Sequence, residues 1–514
     1  MRKEITVISG TYQGVRGRLI SVEIRRKSST YPEMNLQGLS KQATKETLVR
    51  SRSAIKNTGY IKEAYHPYSQ CVTISAEPLD LPKDPTAFDL PVAIALLAEH
   101  LGLSEDTLQS TLFVGELSLA GEILSVRGIV PIAREAVHQG IRCICASLEN
   151  AEQVRSMVPG IEVRAAQSLG QLIDSLQTGK SEEDYALLRP ASPRPSYTPC
   201  ISEIKGHKRE KRVLEIAAAG RHNLLMIGPG GSGQTMLARR LATIAAPLSQ
   251  TEREEAQAIY SISRINIPDP KFQDLVPFRT PHHTISDAGI QGGGNPAYPA
   301  RPGEVSLAHG GILYLDELPE FRIYNQELIG DIAKAGIVTR SRGDNVSEYP
   351  ARFQLVGSMN PCACYSQRCQ CSVEVRRSYR NRLRLRRHFD MCIQVKPPTA
   401  SQSKGEQDPS AETSQTVRER VIRAVEHQYK RSCSIDHEGV FNAYLSLETV
   451  TGRFPLADDA HDALDDQSSK LCMSEHEVAA TIRVARTIAD LRGADRLGPE
   501  DIIEAVEYTT FRLK

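Results

Sequence analysis

The chain has 514 residues, with 63 Lys and Arg against 62 Asp and Glu. Its length predicts several domains. Because its charge is balanced, the electrostatic field of the whole protein cannot attract a polyanion, so a nucleic acid would need a local basic patch. The N-terminal stretch has no apolar core of signal-peptide length, and no apolar run is long enough for a membrane span. The 11 cysteines favour reduced thiols or metal ligands. We therefore expect a cytoplasmic protein without a membrane segment.

The first 177 residues alternate β-rich runs with amphipathic helical stretches, which predicts an α+β domain. Strands are predicted at 22–26, 70–76 and 111–117, and helices at 89–102 and 128–140. The following stretch, 178–202, contains four prolines, several serines and mixed charge, which is typical of a linker.

Short apolar strands alternate with helices again from 203 to 395, which predicts a parallel sheet. A second polar, proline-containing stretch covers 396–415 and is predicted to be another linker. Residues 416–514 are predicted to be helical, and Pro499 suits the start of the last helix. The predicted fold class is therefore α/β, with an α+β domain before the central parallel sheet and a helical domain after it.

Residues 228–235 read GPGGSGQT, which differs from the phosphate-binding loop G-x-x-x-x-G-K-S/T by a Gln at the Lys position. A short apolar run precedes the loop and a helical stretch follows it, a unit that points backbone N–H groups at an anion. Taken alone, the loop could equally be a glycine-rich turn without a ligand. The predicted nucleotide-binding residues are Gly228, Pro229, Gly230, Gly231, Ser232, Gly233, Gln234 and Thr235.

An acidic pair ends a second apolar run, because residues 311–317 read GILYLDE. In a phosphate-loop ATPase, an Asp at this point holds Mg²⁺ and the next Glu polarises the attacking water. Thr235 and Asp316 are therefore the predicted Mg²⁺ residues, and Glu317 is the predicted base.

A third apolar run, residues 353–359, ends at Asn360. A polar side chain at the end of a neighbouring strand could orient the attacking water or contact the γ-phosphate, although an Asn before a proline is also a frequent turn residue. Asn360 completes the predicted catalytic set with Asp316 and Glu317, and ATP and Mg²⁺ are the predicted cofactors.

Several segments carry a family resemblance: RVLEIAAAGRHNLLMIGPGGSGQTMLARRL, PFRTPHHTIS, RPGEVSLAHGGILYLDELPEF, FQLVGSMNPC and VARTIADLRG. Together they resemble the magnesium-chelatase-like AAA+ ATPases of the ComM and YifB group, and the first 177 residues resemble the Lon-like N-terminal domain of that group. The resemblance implies a P-loop AAA+ core and a helical lid in a cytoplasmic protein that binds ATP and DNA. Because KDPTAFDLP contains no serine, the Lon-like domain is expected to be non-proteolytic.

The same resemblance implies a homo-oligomeric ring, which is a hexamer in the competence-linked members. Those members act as branch-migration motors in natural transformation. The expected partner is therefore single-stranded or branched DNA, bound without sequence preference.

Three positions depart from the family pattern by losing a cation. Gln234 offers neutral N–H groups where Lys brings a charge, and charge-assisted hydrogen bonds contribute about 1.5–3 kcal/mol against about 1 kcal/mol for neutral ones. The resemblance places His388 where an arginine finger is expected and His476 where a lid arginine contacts the γ-phosphate. We therefore expect weak or absent hydrolysis. The alternatives are a non-hydrolysing regulatory or structural subunit of a ring and a chelatase-type partner subunit.

Residues 361–371 read PCACYSQRCQC and contain two C-x-C pairs. The four cysteines could hold one Zn²⁺ as a tetrahedral thiolate site, and the family has a similar paired-cysteine insert at this place. This spacing is tighter than the usual C-x-x-C pairs, so free buried thiols and a redox loop are the alternatives. The candidate ligands are Cys362, Cys364, Cys369 and Cys371.

An arginine-rich run at 376–388 contains seven arginines in 13 residues. Such a run can be a solvated edge, a face between subunits, or a contact with the phosphate backbone of DNA, in which case binding should weaken with salt. The sequence contains no base-reading motif, so the expected DNA binding is nonspecific.

Overall fold

The computed structural model describes residues 4–28, 33–59, 70–178, 199–263, 265, 275–294, 298–342, 345–365, 369–397, 411–433, 441–446, 449 and 456–510. Most of the two predicted linkers, 178–202 and 396–415, lies outside these ranges, so the division of the chain into domains stays a prediction. Among the described residues, no helix is long and apolar enough to cross a membrane.

The N-terminal part is a mixed sheet covered by helices. Its strands are β1 (Ile5–Gln13), β2 (Arg16–Ser28), β3 (Met34–Gln37), β4 (Gln70–Glu77), β5 (Thr111–Phe113), β6 (Glu116–Leu117), β7 (Ile123–Leu124), β8 (Cys143–Ala146) and β9 (Glu162–Ala165). Its helices are α1 (Lys41–Thr58), α2 (Asp89–Leu97), α3 (Glu105–Ser110), α4 (Ile129–His138), α5 (Leu148–Met157) and α6 (Leu169–Thr178). The main sheet has the strand order β3-β4-β2-β1-β5-β8-β9. Because α2 is almost wholly apolar, it has no polar face for solvent and all of its residues are buried.

The central part is built around a parallel sheet. Its strands are β10 (Leu224–Ile227), β11 (Phe278–Arg279), β12 (Gly292–Gly293), β13 (Arg301–Pro302), β14 (Ile312–Leu315), β15 (Ile337–Arg342), β16 (Asn345–Pro350), β17 (Gln354–Met359) and β18 (Met391–Gln394). Its helices are α7 (Lys208–Gly220), α8 (Gln234–Ile244), α9 (Gln250–Ser263), α10 (Asp287–Gln291), α11 (Glu304–Leu307), α12 (Ile323–Ala335) and α13 (Val373–Arg380).

Five of these strands form one sheet in the order β11-β14-β17-β10-β18, and every neighbouring pair is parallel. Strands β10, β14 and β17 are buried along their whole length, as expected for a parallel sheet with both faces covered. Their carboxyl ends therefore meet at one edge, where the glycine loop, the acidic pair and Asn360 follow them.

The C-terminal part is helical, with α14 (Ser414–Cys433), α15 (Asp458–Leu471), α16 (Glu475–Arg492) and α17 (Pro499–Thr509). Pro499 stands in the first turn of α17, as the sequence predicts. The α/β class, with a central parallel sheet and a helical C-terminal region, is therefore confirmed.

The N-terminal and central parts are joined by hydrogen bonds between α4 and α9. The backbone N–H groups of Gly128 and Val130 donate to the Ser261 carbonyl at 3.1 Å and to the Ser261 hydroxyl at 3.2 Å. Arg134 of α4 donates to Gln257 Oε1 at 2.5 Å. These contacts fix α9 against the N-terminal sheet and helices.

A buried polar cluster joins the central part to α16. The His222 ring is fully buried, and its Nε2 lies 2.7 Å from the Thr487 hydroxyl. Asp490, one turn further along α16, accepts from Arg431 at 2.8 Å and from Asn442 at 2.9 Å. These hydrogen bonds hold the helices of the C-terminal part to the base of β10, although the buried Nδ1 of His222 has no hydrogen-bond partner among the described residues.

The burial of His222 should make stability depend on pH. Burial lowers the pKa of its imidazole from 6.5 to about 4, so the folded chain keeps the ring neutral while the unfolded chain protonates it below pH 6.5. This contribution is complete above pH 6.5 and is lost as the pH falls through 4, and at pH 5 the loss is about 2 kcal/mol. Urea unfolding at pH 7.5 and pH 5 should show this loss in the wild type and a smaller loss in His222→Gln. The exposed His100→Gln serves as control, and equal losses in all three proteins would contradict the assignment.

Candidate functional site

The glycine loop connects the buried strand β10 to the first turn of α8. Gly231 and Gly233 have φ angles of 79° and 94°, in the left-handed region that favours glycine. A Cβ added at Gly230 or Gly231 would meet nothing within 4 Å, so this side of the loop is open. No side chain caps α8 at Gly233, which leaves the first N–H groups of the helix available to an anion.

Asp316, which directly follows β14, is the centre of a hydrogen-bond cluster. Its Oδ1 accepts from the Tyr314 hydroxyl at 3.0 Å and from the Ser358 hydroxyl at 2.5 Å. Its Oδ2 accepts from the Thr235 hydroxyl of α8 at 3.2 Å, so the predicted pair of Mg²⁺ residues is brought together. Oxygen atoms of a carboxylate and a hydroxyl are ligands that Mg²⁺ prefers. Burial raises the pKa of Tyr314, which keeps its hydroxyl a donor to Asp316.

Glu317 has a strained backbone conformation. Its φ angle is 52°, in a region that a non-glycine residue rarely occupies. Its N–H donates to Asp316 Oδ1 at 3.1 Å and to the Ser358 hydroxyl at 3.2 Å, and these bonds hold the strained turn in place. The backbone of the predicted base is therefore held by the same cluster that orders Asp316.

Two buried polar atoms at this edge have no hydrogen-bond partner among the described residues, namely Asn360 Oδ1 and the Ser232 hydroxyl oxygen. Asn360 follows β17, and Ser232 lies inside the glycine loop. Leaving such an atom unpaired costs about 1–3 kcal/mol, which a ligand or an ordered water would offset. Together with the open loop and the oxygen pair of Thr235 and Asp316, these atoms fit a Mg²⁺–nucleotide.

The four cysteines of the two C-x-C pairs are also brought together, and their sulfur atoms lie within 4.8 Å of one another. A tetrahedral Zn²⁺ with Zn–S bonds of about 2.3 Å would separate its sulfurs by about 3.8 Å, so the arrangement fits one such ion. The pKa of Cys371 is raised to about 12, mainly by hydrogen bonding to the Cys364 thiol and then, to a smaller extent, by hydrogen bonding to Cys362 and Cys369. A bound cation would reverse this effect, because it stabilises thiolates.

The arginine-rich run begins in α13 and continues past it as an exposed edge. Leu383 and Leu385 are buried and anchor the segment. The exposed arginines are Arg377, Arg382, Arg384, Arg386 and Arg387. Arg382 lies 3.6 Å from Glu320, and Tyr365, in the cysteine stretch, donates to the same carboxylate at 3.1 Å. The basic edge and the cysteine cluster therefore lie beside the turn that carries Glu317.

Comparison with known proteins identifies the family. The family model "Magnesium chelatase, subunit ChlI" matches residues 200–403, "Subunit ChlI of Mg-chelatase" matches 22–150, and "Magnesium chelatase, subunit ChlI C-terminal" matches 411–509. YifB of Salmonella typhimurium is 37% identical over 96% of this chain and 95% of its own length. Competence protein ComM of Haemophilus influenzae is 33% identical over 98% of this chain and 96% of its own length.

The chain belongs to the magnesium-chelatase-like family of YifB and ComM. The resemblance expected from the sequence is therefore confirmed, and membership of this family implies the use of ATP and Mg²⁺. The Magnesium-chelatase 38 kDa subunit of Cereibacter sphaeroides is also similar, at 27% identity, but over 31% of this chain and 52% of its own length.

Gln234 does not present its N–H groups to the loop, in contrast to the expectation from the sequence. Its Nε2 donates to the Met226 carbonyl of β10 at 3.1 Å and to the Met359 carbonyl of β17 at 3.3 Å. An amide nitrogen has two N–H groups, so these contacts use both and leave the amide oxygen, an acceptor, as the free polar atom. A Lys ammonium at this place would have a third N–H group as well as a charge.

His388 and His476 are the two histidines at positions where the resemblance to the YifB and ComM family places arginines. His388 is half-buried against α12, where a Cβ at Gly330 would come within 2.6 Å of its Nε2, and burial lowers its pKa. A neutral His388 cannot replace an arginine charge. His476 is exposed in the first turn of α16, where Ser474 and Glu477 form a capping box. Glu477, which the sequence places beside an expected phosphate contact, instead accepts from the Ser474 N–H and hydroxyl and so caps the start of α16.

Sequence reasoning missed Tyr314 and Ser358, which hold Asp316 in place. Tyr314 could have been found, because it stands two positions before Asp316 and side chains two apart share a face of a strand. Ser358 could not, because its approach to Asp316 depends on the register between β14 and β17.

Proposed function

We propose that this member of the YifB and ComM family binds ATP–Mg²⁺ at its glycine loop and acts on DNA as a ring, with weak hydrolysis. The observation that carries the nucleotide part is the contact between Thr235 of the loop helix and Asp316 of the acidic strand, at 3.2 Å. In this proposal the Thr235 hydroxyl and the Asp316 carboxylate would hold Mg²⁺, which would supply positive charge beside the phosphates, and the N–H groups of Gly231 to Thr235 would donate to phosphate oxygens.

Glu317 and Asn360 are proposed to position the attacking water. The backbone of Glu317 is held in its strained turn by Asp316 and Ser358, and its side chain would accept a proton from the water. The unpartnered Oδ1 of Asn360 would accept a hydrogen bond from that water. The two side chains follow adjacent strands, β14 and β17.

Hydrolysis is proposed to be weak because the three positions where the family resemblance places a cation, 234, 388 and 476, hold Gln, His and His. Both N–H groups of Gln234 are used by Met226 and Met359 carbonyls, and His388 is held neutral by burial. Charge that builds up in the transition state would be left uncompensated, and a single lost electrostatic contact of this kind costs about 10²–10³ in rate.

Action on DNA is supported by the exposed arginines at 377, 382, 384, 386 and 387. They lie on one short segment, close to the turn of Glu317, where phosphate contacts could respond to the nucleotide. The name of the relative ComM, "Competence protein", agrees with a role on DNA taken up in natural transformation. The proposed mode is sequence-nonspecific binding to single-stranded or branched DNA by a homo-oligomeric ring, a hexamer by analogy.

Two other functions follow from the same residues. A subunit that binds ATP without hydrolysing it would serve a ring in a structural or regulatory role, and the arrangement of Gln234 favours this as the second candidate. A chelatase-type partner subunit is less favoured, because the chelatase relatives match 31% and 19% of the chain whereas YifB matches 96%.

Gln234→Lys should raise hydrolysis more than tenfold above the wild type, because an ammonium group can donate to both strand carbonyls and still offer a charged N–H to phosphate. Released phosphate would be measured with ATP–Mg²⁺ in the presence and absence of forked DNA, which should stimulate the variant. Gln234→Met, of similar length but uncharged, is the matched control and should stay at or below the wild-type rate. Robust hydrolysis by the wild type, equal to that of Gln234→Lys, would contradict the proposal, and forked DNA without effect on either protein would contradict its DNA part.

We further propose that the cysteine cluster holds one Zn²⁺. The four sulfurs are close enough to form a tetrathiolate site, and the cluster is followed directly by Ser372, whose hydroxyl caps α13 by accepting from the Val375 N–H at 3.4 Å. The ion would therefore fix the start of the arginine-rich segment. In this proposal Zn²⁺ is structural, because four protein ligands leave no open position.

Purified protein should contain about one zinc per chain, as measured by plasma mass spectrometry after gel filtration. Cys369→Ser combined with Cys371→Ser should lose the metal and bind forked DNA more weakly, because the arginine segment loses its anchor. Cys472→Ser, which changes an exposed cysteine elsewhere, should keep both. The zinc proposal fails if the wild type contains no zinc and takes none up from buffered solution.

A further inference from the structure

A cleft of about 580 Å³ lies between the N-terminal and central parts, on the side of α4 that faces α9. Its walls come from α4, the end of α5 with the residues after it, and the first two turns of α9. It is separate from the glycine loop, since none of residues 228–235 lines it. The volume is typical of sites for small molecules.

The cleft is positively charged. Arg134, Arg155 and Arg253 line it together with one carboxylate, Glu254, so the four charged groups sum to +2 with His138 neutral.

None of the three arginines forms a salt bridge with a described carboxylate, although the charge of Glu254 acts on Arg134. Their hydrogen bonds end on neutral oxygens: Arg134 on the Glu254 carbonyl at 2.6 Å and Gln257 Oε1 at 2.5 Å, Arg155 on the Val163 carbonyl at 3.0 Å, and Arg253 on the Leu248 carbonyl at 3.2 Å. The buried Nε of Arg253 has no partner among the described residues. Arg155 is exposed, whereas Arg134 and Arg253 are partly buried, and an anionic ligand would supply the counter-charge that these two guanidinium groups lack.

Another part of the cleft wall is apolar and is formed by Val137, Met157, Val158 and Pro159, beside the polar Ser156 and Gln250. A ligand that fits the whole cleft therefore combines an anionic group of high charge with an apolar or aromatic part. A phosphate group matches a formal charge of +2 with a single substituent and fits the planar fork of arginine.

We propose that the cleft between α4, α5 and α9 binds a small phosphate-bearing molecule, with the phosphate at Arg155 and Arg253 and the organic part against Met157 and Val158. Arg134 is a positioning residue, because its hydrogen bonds already join the two parts of the chain. The proposal does not depend on nucleotide binding at the glycine loop. A nucleic-acid strand is a less suitable occupant, because the cavity is of the size for one small molecule.

The test uses the full-length protein without Mg²⁺ and two phosphate probes, pyrophosphate and AMP, with citrate as a carboxylate comparison and a thymidine oligonucleotide as the nucleic-acid comparison. Binding is measured by calorimetry, and hydrogen exchange locates it. The variants are Arg155→Gln and Arg253→Gln, which remove the charge but keep a donor for the backbone carbonyl. Arg52→Gln, an exposed arginine on α1, is the matched control.

We expect AMP or pyrophosphate to protect residues 134–138, 155–158 and 250–257 from exchange. Each cleft variant should weaken binding about tenfold or more, because it removes a charge-assisted contact, and Arg52→Gln should not. The proposal is overturned if no phosphate probe binds, if protection is confined to 228–236, or if the cleft variants bind like the wild type. Citrate binding as tightly as the phosphates, or binding of the oligonucleotide alone, would overturn the assignment of the ligand class.

Discussion

The candidate site depends on the contact between the Thr235 hydroxyl and the Asp316 carboxylate. These residues are far apart in the chain and meet because β10, β14 and β17 are parallel neighbours whose carboxyl ends share one edge. The same carboxylate receives the hydroxyl groups of Tyr314 and Ser358 and the N–H of Glu317. The loop, the acidic pair and the strained turn are therefore one hydrogen-bonded unit. A substitution at Asp316 would disturb all three.

This unit brings oxygen ligands and backbone donors together, but it lacks the positive charge that the usual lysine would supply. A Mg²⁺–nucleotide needs oxygen ligands, backbone donors and cations near the γ-phosphate, and the chain supplies the first two. Gln234 fills the space of the usual lysine and uses its donors to tie β10 to β17, which replaces a catalytic contact by a structural one. The proposed function would separate binding from hydrolysis, since binding can depend on Mg²⁺ and backbone donors while hydrolysis requires compensation of new charge.

Much of this arrangement could be predicted from the sequence, because apolar runs followed by Gly, Asp and Asn mark the ends of buried strands. Residues 224–227, 312–315 and 354–359 form the predicted strands, and the Asn-Pro turn lies at the predicted edge. The orientation of Gln234 could not be predicted, because it depends on which backbone carbonyls the fold brings within reach. Ser358 was missed for the same reason, since strand register is a tertiary property.

The packing of α4 on α9 also could not be predicted from the sequence. Arg134 and Gln257 are 123 positions apart, and neither belongs to a recognisable motif. The cleft they help to form arises from the docking of two parts that are each predictable alone. Sequence motifs therefore predict the candidate nucleotide site, whereas the proposed cleft site follows only from the assembled chain.

The most direct test of the account is calorimetric titration of the wild-type chain with ATP in the presence of Mg²⁺ and in the presence of EDTA. The account predicts binding with Mg²⁺ that is weakened about tenfold or more by EDTA, and weakened similarly by Asp316→Asn, because one carboxylate–hydroxyl pair holds the metal. No binding at millimolar ATP–Mg²⁺, or binding that neither EDTA nor Asp316→Asn changes, would contradict it.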